Sequence, residues 1–283
     1  MIKIERNNLE EIIDEYLSRL QLTNRRANSN RLKEYFITNL PDIIKAKPED
    51  FDNIHTIYGR LKVANPDDFE EFKNYMINQY KVMRSSHGHW LLERLNLRAC
   101  PYCNRQYTFT IKEGRISPEL DHFKPKASYP ELALSFYNLI PSCSTCNHTK
   151  LIGDIDIHPY FKGFNDNCKF ILKTKEGEQA SLDWVLKNDV EIDFSNINSN
   201  IKVFHLKELY EEHSDYLKEI ISKAQAYNAS YYDGLIESYR GLGKQQSEID
   251  RFIWGSYLDN SEHEKRPLSK FTKDILQHLN IIL

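Results

Sequence analysis

Apolar side chains recur every three or four residues in three stretches, which is the spacing of one helix face. Two stretches lie in the first third of the chain, from Leu9 to Leu20 and from Phe69 to Met83. A third extends from Leu206 to Tyr227. Residues 65–68, Asn-Pro-Asp-Asp, predict the start of the second helix, because they combine a start signal with an acidic first turn. Residues 85–88, Ser-Ser-His-Gly, predict a break in that helix.

Short β-rich runs occupy the middle of the chain, between these helical regions. A turn is predicted at Glu113-Gly114, and a helix is predicted to start near Thr145 or Cys146. The runs predicted as strands are Tyr107–Ile111, Leu120–Phe123, Leu139–Ile140, Lys169–Thr174 and Val190–Phe194.

These patterns predict an α+β fold that is mostly helical, with four regions. A helical N-terminal region covers 1–97, and a compact core covers 98–165. A small β-rich insertion covers 166–200, and a helical region covers 201–283.

Composition indicates an ordinary globular protein, with 40% hydrophobic and 28% charged residues. No apolar run approaches the length of a membrane helix, and the first residues lack the apolar core of a signal peptide. We therefore expect a cytoplasmic protein without membrane contact. The net charge of −3 argues against a protein that coats nucleic acid, so any such contact must be local or supplied by a partner. Residues 98–150 do lean basic.

Four of the five cysteines form two C-x2-C pairs, whereas Cys168 stands alone. In a reducing compartment such pairs are metal ligands more often than disulfides, and two of them complete the tetrahedral set that zinc prefers. The alternative is that these four cysteines are unrelated free thiols. The predicted ligands of one structural zinc are Cys100, Cys103, Cys143 and Cys146.

Asp121-His122 lies between the two cysteine pairs, and Asn147 follows the second pair. A carboxylate suits a divalent ion such as Mg2+ or Mn2+, and a histidine with an ordinary pKa can take a proton from water. The Asn147 amide oxygen offers a second metal ligand, although a helix cap explains this residue equally well when it is taken alone. Out of context, His122 would be a surface histidine. Together the three side chains are the minimum for phosphodiester hydrolysis.

This order of residues resembles the zinc-ribbon branch of the HNH endonucleases, whose core is a ββα-metal motif. The resemblance covers about 98–160 and implies that His122 is the general base and Asp121 a metal ligand. It implies that Asn138 fixes the loop and orients the histidine. Asn147 would complete the metal site, unless a shift of helix phase puts His148 there. The trailing Lys150 would lie near the scissile phosphate.

Lys124 and Lys126 are candidate phosphate contacts as well, although a solvated loop explains them equally well. The helical flanks resemble HNH nucleases of bacterial anti-phage modules that act beside an SMC-like ATPase. The resemblance therefore implies an endonuclease, with that ATPase as a candidate partner. The substrate is DNA or RNA, and we expect DNA ahead of RNA such as tRNA. The alternative is a zinc-ribbon adaptor without catalysis. A transcription factor is disfavoured, because no helix-turn-helix is evident.

Overall fold

The computed structural model describes residues 1–20, 22, 30–112, 115–116, 118–164, 167–227 and 229–282. The predicted turn at Glu113-Gly114 falls outside the described residues. The chain divides into two compact units, each assembled from separate segments. Unit 1 comprises Met1–Ile4, Arg98–Tyr107 and Ile155–Leu283, and unit 2 comprises Glu5–Leu97 and Thr108–Asp154.

Unit 2 combines helices with short strands. Its helices are α1 (Leu9–Arg19), α2 (Arg31–Thr38), α3 (Leu40–Lys45), α4 (Pro48–Ala64), α5 (Asp68–Leu95) and α6 (Ser144–Lys150). Its strands are β1 (Thr110–Lys112), β2 (Arg115–Ile116), β3 (Glu119–His122) and β4 (Leu139–Ser142). β1 pairs with β2 and β3 pairs with β4, both antiparallel. A 3-10 helix at Pro130–Leu132 packs against α4 and α5.

Helix α5 runs without interruption through the break predicted at residues 85–88. That prediction is wrong, because one glycine costs only about 1 kcal/mol in a helix and one face of the helix, with Leu91 and Leu92, is buried there. Gly88 itself is buried on the same helix as Met83 and Leu91. The helix ends where Asn96 adopts φ +43° and donates its N–H to the carbonyl of Leu92 at 2.8 Å.

The hairpin of β3 and β4 positions the residues predicted to carry the chemistry. Asp121 pairs with Ile140, and His122 pairs with Leu139. Both strands are buried along almost their whole length. α6 begins at Ser144 directly after β4, with Cys143 as its N-cap. The strand–strand–helix order confirms the ββα core within a mostly helical α+β fold.

Unit 1 is built from helices around one hairpin. Its strands are β5 (Phe170–Lys173) and β6 (Glu191–Phe194), which pair antiparallel. Phe170 contacts Phe194, Tyr210 and Phe271, so these rings form the core of the unit. Its helices are α7 (Leu182–Val185), α8 (Ser199–Val203), α9 (Leu206–Glu211), α10 (Ser214–Ala226), α11 (Ala229–Gly241), α12 (Gln246–Trp254) and α13 (Ser269–His278).

Across the described residues, no helix has both the length and the apolar character that a membrane span requires. The four regions predicted from the sequence stay a prediction.

Candidate active site

The two C-x2-C turns bring four buried sulfur atoms within 4.8 Å of one another. Backbone amides point at two of the sulfurs, from Arg105 to Cys103 at 3.3 Å and from Cys146 to Cys143 at 3.5 Å. Four bonds of 2.3 Å in a tetrahedron place sulfurs about 3.8 Å apart. All four thiols are free of disulfides. The donor set and its spacing therefore fit one structural zinc, as predicted.

Asn104 shapes the first cysteine turn, a role that no sequence pattern indicated. It adopts φ +52°, and its N–H donates to the carbonyl of Cys100 at 2.7 Å. Its side chain donates to the carbonyl of His263 at 2.9 Å and accepts from the N–H of Lys270 at 3.1 Å. The turn is thus held by contacts distant in sequence, which no local pattern reveals.

His122 is buried at the end of β3, with its Nε2 3.0 Å from the carbonyl oxygen of Ala133. A carbonyl only accepts, so Nε2 carries the proton and the neutral ring has its lone pair on Nδ1. Burial, together with the charges of the nearby Lys126 and Lys150, lowers the pKa of His122 to about 3, below the ordinary value expected from the sequence. The imidazole is therefore neutral at pH 7 and has a site that can take up a proton.

Asp121 is buried beside an equally buried lysine. Its Oδ2 lies 3.2 Å from Nζ of Lys150, whose side chain has no exposed surface. The same amine donates to the backbone carbonyl of His122 at 2.6 Å. Lys150 thus connects α6 to the strand that carries both candidate catalytic residues. Its predicted phosphate contact stays a prediction, and the burial of its amine favours a positioning role instead.

Asn138 is fully buried and fixes the segment after β3. Its Oδ1 accepts from the N–H of Lys124 at 2.6 Å, and its Nδ2 donates to the carbonyls of Lys124 and Leu132 at 3.1 and 2.9 Å. Leu132 directly precedes Ala133, the residue whose carbonyl holds His122. These hydrogen bonds suit a residue that fixes a loop. Any effect of Asn138 on His122 is transmitted through the segment that contains Leu132 and Ala133.

Asn147 lies inside α6 and does not cap it, since the N-cap is Cys143. It is half-buried, whereas His148 is exposed. Residues three apart share one helix face, so Asn147 lies on the face of Lys150 and therefore of Asp121. His148 is two positions from Lys150 and lies on a different face. Helix phase therefore places Asn147, rather than His148, on the side of Asp121, and its role as a metal ligand stays a prediction.

Lys124 and Lys126 are both half-exposed. Lys124 pairs with the exposed carboxylate of Asp154 at 3.1 Å. The amine of Lys126 lies 5.1 Å from the ring centroid of Tyr80. Unlike Lys150, both amines are within reach of a ligand in solvent.

Two further residues support the site around His122 and were not identified from the sequence. Tyr80 packs the edge of its ring against His122 at 4.4 Å between centroids and donates to the carbonyl of Leu120 at 2.9 Å. Glu131, which is buried, lies 2.6 Å from Nδ1 of His55 and so fastens the 3-10 helix before Ala133 to α4. Tyr80 belongs to the apolar stripe of α5, and that stripe predicts core packing only.

Comparison with known proteins agrees with this site. Residues 100–151 match the HNH endonuclease family model. The match confirms the resemblance drawn from the cysteine pairs and the Asp-His dipeptide. The chain is also 40% identical to the Septu protein PtuB of Bacillus thuringiensis over 60 residues, which are 21% of each chain. The matched part spans about a fifth of that curated relative. No solved structure matches the chain.

Proposed function

We propose that this protein is a metal-dependent endonuclease that hydrolyses phosphodiester bonds, with its active site on β3, β4 and α6. The observation that carries the proposal is the buried His122, neutral at pH 7 and fixed through Nε2 to a backbone carbonyl. A neutral histidine held in one tautomer offers its second ring nitrogen as a proton acceptor. The HNH match over the same residues supports this function.

His122 takes a proton from the attacking water on Nδ1. The Ala133 carbonyl holds the opposite nitrogen at 3.0 Å and stabilises the imidazolium that forms. Without substrate the pKa of His122 is about 3, which makes a weak base. The negative charge of a phosphodiester at the site would raise that pKa, so the base strengthens when the substrate is bound.

Asp121 and Asn147 supply a carboxylate and an amide oxygen, which are ligands that Mg2+ and Mn2+ accept. When bound, such an ion neutralises the charge that develops on the phosphate and on the leaving oxygen. The Asp121 carboxylate already faces Lys150 at 3.2 Å, so it is held in place before any ion arrives. Lys124 and Lys126 are better placed than Lys150 to contact the substrate phosphates.

DNA is the proposed substrate, ahead of RNA such as tRNA, and the cellular role is the effector of an anti-phage defence system. The resemblance to HNH nucleases of anti-phage modules and the likeness to the Septu protein PtuB support this assignment. We further propose an SMC-like ATPase as the partner. A partner of that kind would supply the nucleic-acid affinity that a chain of net charge −3 lacks.

Cleavage of plasmid DNA and of total tRNA with Mg2+ or Mn2+ tests the proposal, with His122→Ala as the matched inactive variant. We expect wild type to cut DNA and the variant to be slower by about 100-fold or more, the usual contribution of a general base. Wild type and His122→Ala should contain equal amounts of zinc. Equal cutting by the two proteins would contradict the assignment of His122.

The same assay, repeated with the partner ATPase, separates a nuclease from an adaptor. If neither protein cuts and His122→Ala keeps full anti-phage protection in cells, the catalytic proposal is wrong. A non-catalytic zinc-ribbon adaptor then becomes the function.

A further inference from the structure

Three cationic side chains surround one aromatic ring in unit 1. The guanidinium carbon of Arg251 lies 5.1 Å from the ring centroid of Tyr257. The Lys265 amine and the Arg266 guanidinium carbon each lie 5.5 Å from the same centroid. Lys265 pairs with Glu262 at 2.6 Å. Among the described residues, neither arginine forms an ion pair, although the carboxylate of Glu248 lies near enough to interact electrostatically with Arg251.

The hydrogen bonds of these arginines leave donors to spare. Arg251 donates from Nε to the Ser247 carbonyl at 3.1 Å and from Nη1 to the Tyr257 hydroxyl at 3.4 Å. Arg266 donates from Nη1 to the carbonyl of Gly255. A guanidinium has five N–H donors in a fork that fits phosphate oxygens. The recorded bonds therefore hold the two side chains in place and use only part of their capacity.

A cavity of about 360 Å3 opens beside these arginines and has aromatic residues in its wall. Phe252 lines it with 72% of its surface exposed, and its ring lies 5.5 Å from that of Tyr239. Lys244 and Glu248 line it too and pair with each other at 3.5 Å. Because the charges of Lys244 and Glu248 cancel, the net positive charge of the cavity wall comes from Arg251 and Arg266.

We propose that this surface, the Arg251 patch (Arg251, Phe252, Tyr257 and Arg266), binds a single strand of nucleic acid. The two guanidinium groups hold a backbone phosphate, and an unpaired base stacks on the exposed ring of Phe252. Arginine forks beside an exposed aromatic ring are the combination that single-strand binding uses. The patch is a local basic site on a chain of net charge −3, and it acts in binding without taking part in cleavage.

Fluorescence anisotropy of a labelled single-stranded oligonucleotide, without added Mg2+ or Mn2+, tests the proposal on the full chain. The double variant Arg251→Gln/Arg266→Gln should bind about tenfold or more weakly. Its slope of log affinity against log salt should be shallower by about 0.7, because one phosphate contact is lost. Phe252→Ala should weaken binding by about tenfold with an unchanged slope.

The matched control is Lys162→Gln/Lys187→Gln, which removes two exposed cations from the same unit outside the patch. It should bind as wild type does. Wild-type affinity and slope in the double variant, together with wild-type affinity in Phe252→Ala, would overturn the proposal. Because Phe252 is exposed, that variant remains informative if the arginine variant melts early. No readout depends on cleavage, so an inactive nuclease would leave the result intact.

Discussion

The four-cysteine cluster and the site around His122 lie within the same 100–151 segment but are encoded in different ways. Each half of the cluster is a local turn of four residues, and its ligands are readable from their spacing alone. The His122 site depends on partners from α5, α6 and the 3-10 helix, including a backbone carbonyl. A structural metal site can thus be recognised from sequence, whereas the supports of a catalytic residue cannot.

Removing zinc should have the largest effect. Cys143→Ser/Cys146→Ser leaves only two thiolates, and a structural zinc contributes about 10–16 kcal/mol in small domains. We expect loss of zinc and a melting temperature lower by more than about 10 °C. Elemental analysis and circular dichroism melts would show both. Cys168→Ser is the control, because that buried cysteine lies outside the cluster. A double variant that retained one zinc per chain would contradict the assignment.

The variants Lys150→Met and Lys124→Met compare the loss of a buried lysine with the loss of a half-exposed one. Lys150→Met removes the ammonium group that pairs with the buried Asp121 carboxylate, and breaking a buried ion pair typically costs about 3–5 kcal/mol. Lys124→Met breaks only the pair with the exposed Asp154 and should cost less than about 1 kcal/mol. Urea denaturation of both variants measures the difference. Equal and small losses would mean that Lys150 does not hold Asp121 and would return it to the phosphate-binding candidates.

Asn138→Ala tests whether the loop fixes the histidine. The change leaves the N–H and the carbonyl of Lys124 without their partner, at a cost of about 2–4 kcal/mol, whereas the Leu132 carbonyl keeps its bond from the N–H of Ser135. Cleavage should also slow by about tenfold or more at temperatures where the variant is folded, since the segment before Ala133 loses the bond from Asn138 to Leu132. Stability and single-turnover rate should be measured together. A destabilised variant with the wild-type rate would show that His122 keeps its position without Asn138.

Substitutions of Tyr80 should have the smallest effects on stability and cleavage rate. They distinguish the role of its ring from that of its hydroxyl. Tyr80→Phe keeps the ring against His122 but loses the bond to the Leu120 carbonyl, so we expect about 1 kcal/mol of destabilisation and a nearly unchanged rate. Tyr80→Leu removes the aromatic contact and should slow cleavage several-fold. Identical rates in the two variants would indicate that the ring does not orient the imidazole.

The sequence best predicted those elements that depend on interactions between residues adjacent in the chain. The strand at Leu139–Ile140 and the start of α6 lay within a few residues of their predicted positions, because a strand leads directly into a cysteine turn. The break expected at residues 85–88 failed for the opposite reason. There the burial of α5 outweighed a weak local propensity, and sequence alone does not show how much of a helix is buried.

Spacing and periodicity along the chain were enough to predict the zinc ligands, the Asp-His pair and the mostly helical α+β class. Tertiary structure decided that the Lys150 amine lies buried against Asp121, that Ala133 selects the tautomer of His122, and that Arg251 and Arg266 meet at Tyr257. Burial and hydrogen bonding between distant segments exist only once the chain has folded. The protonation state of a side chain and its access to solvent follow from those contacts.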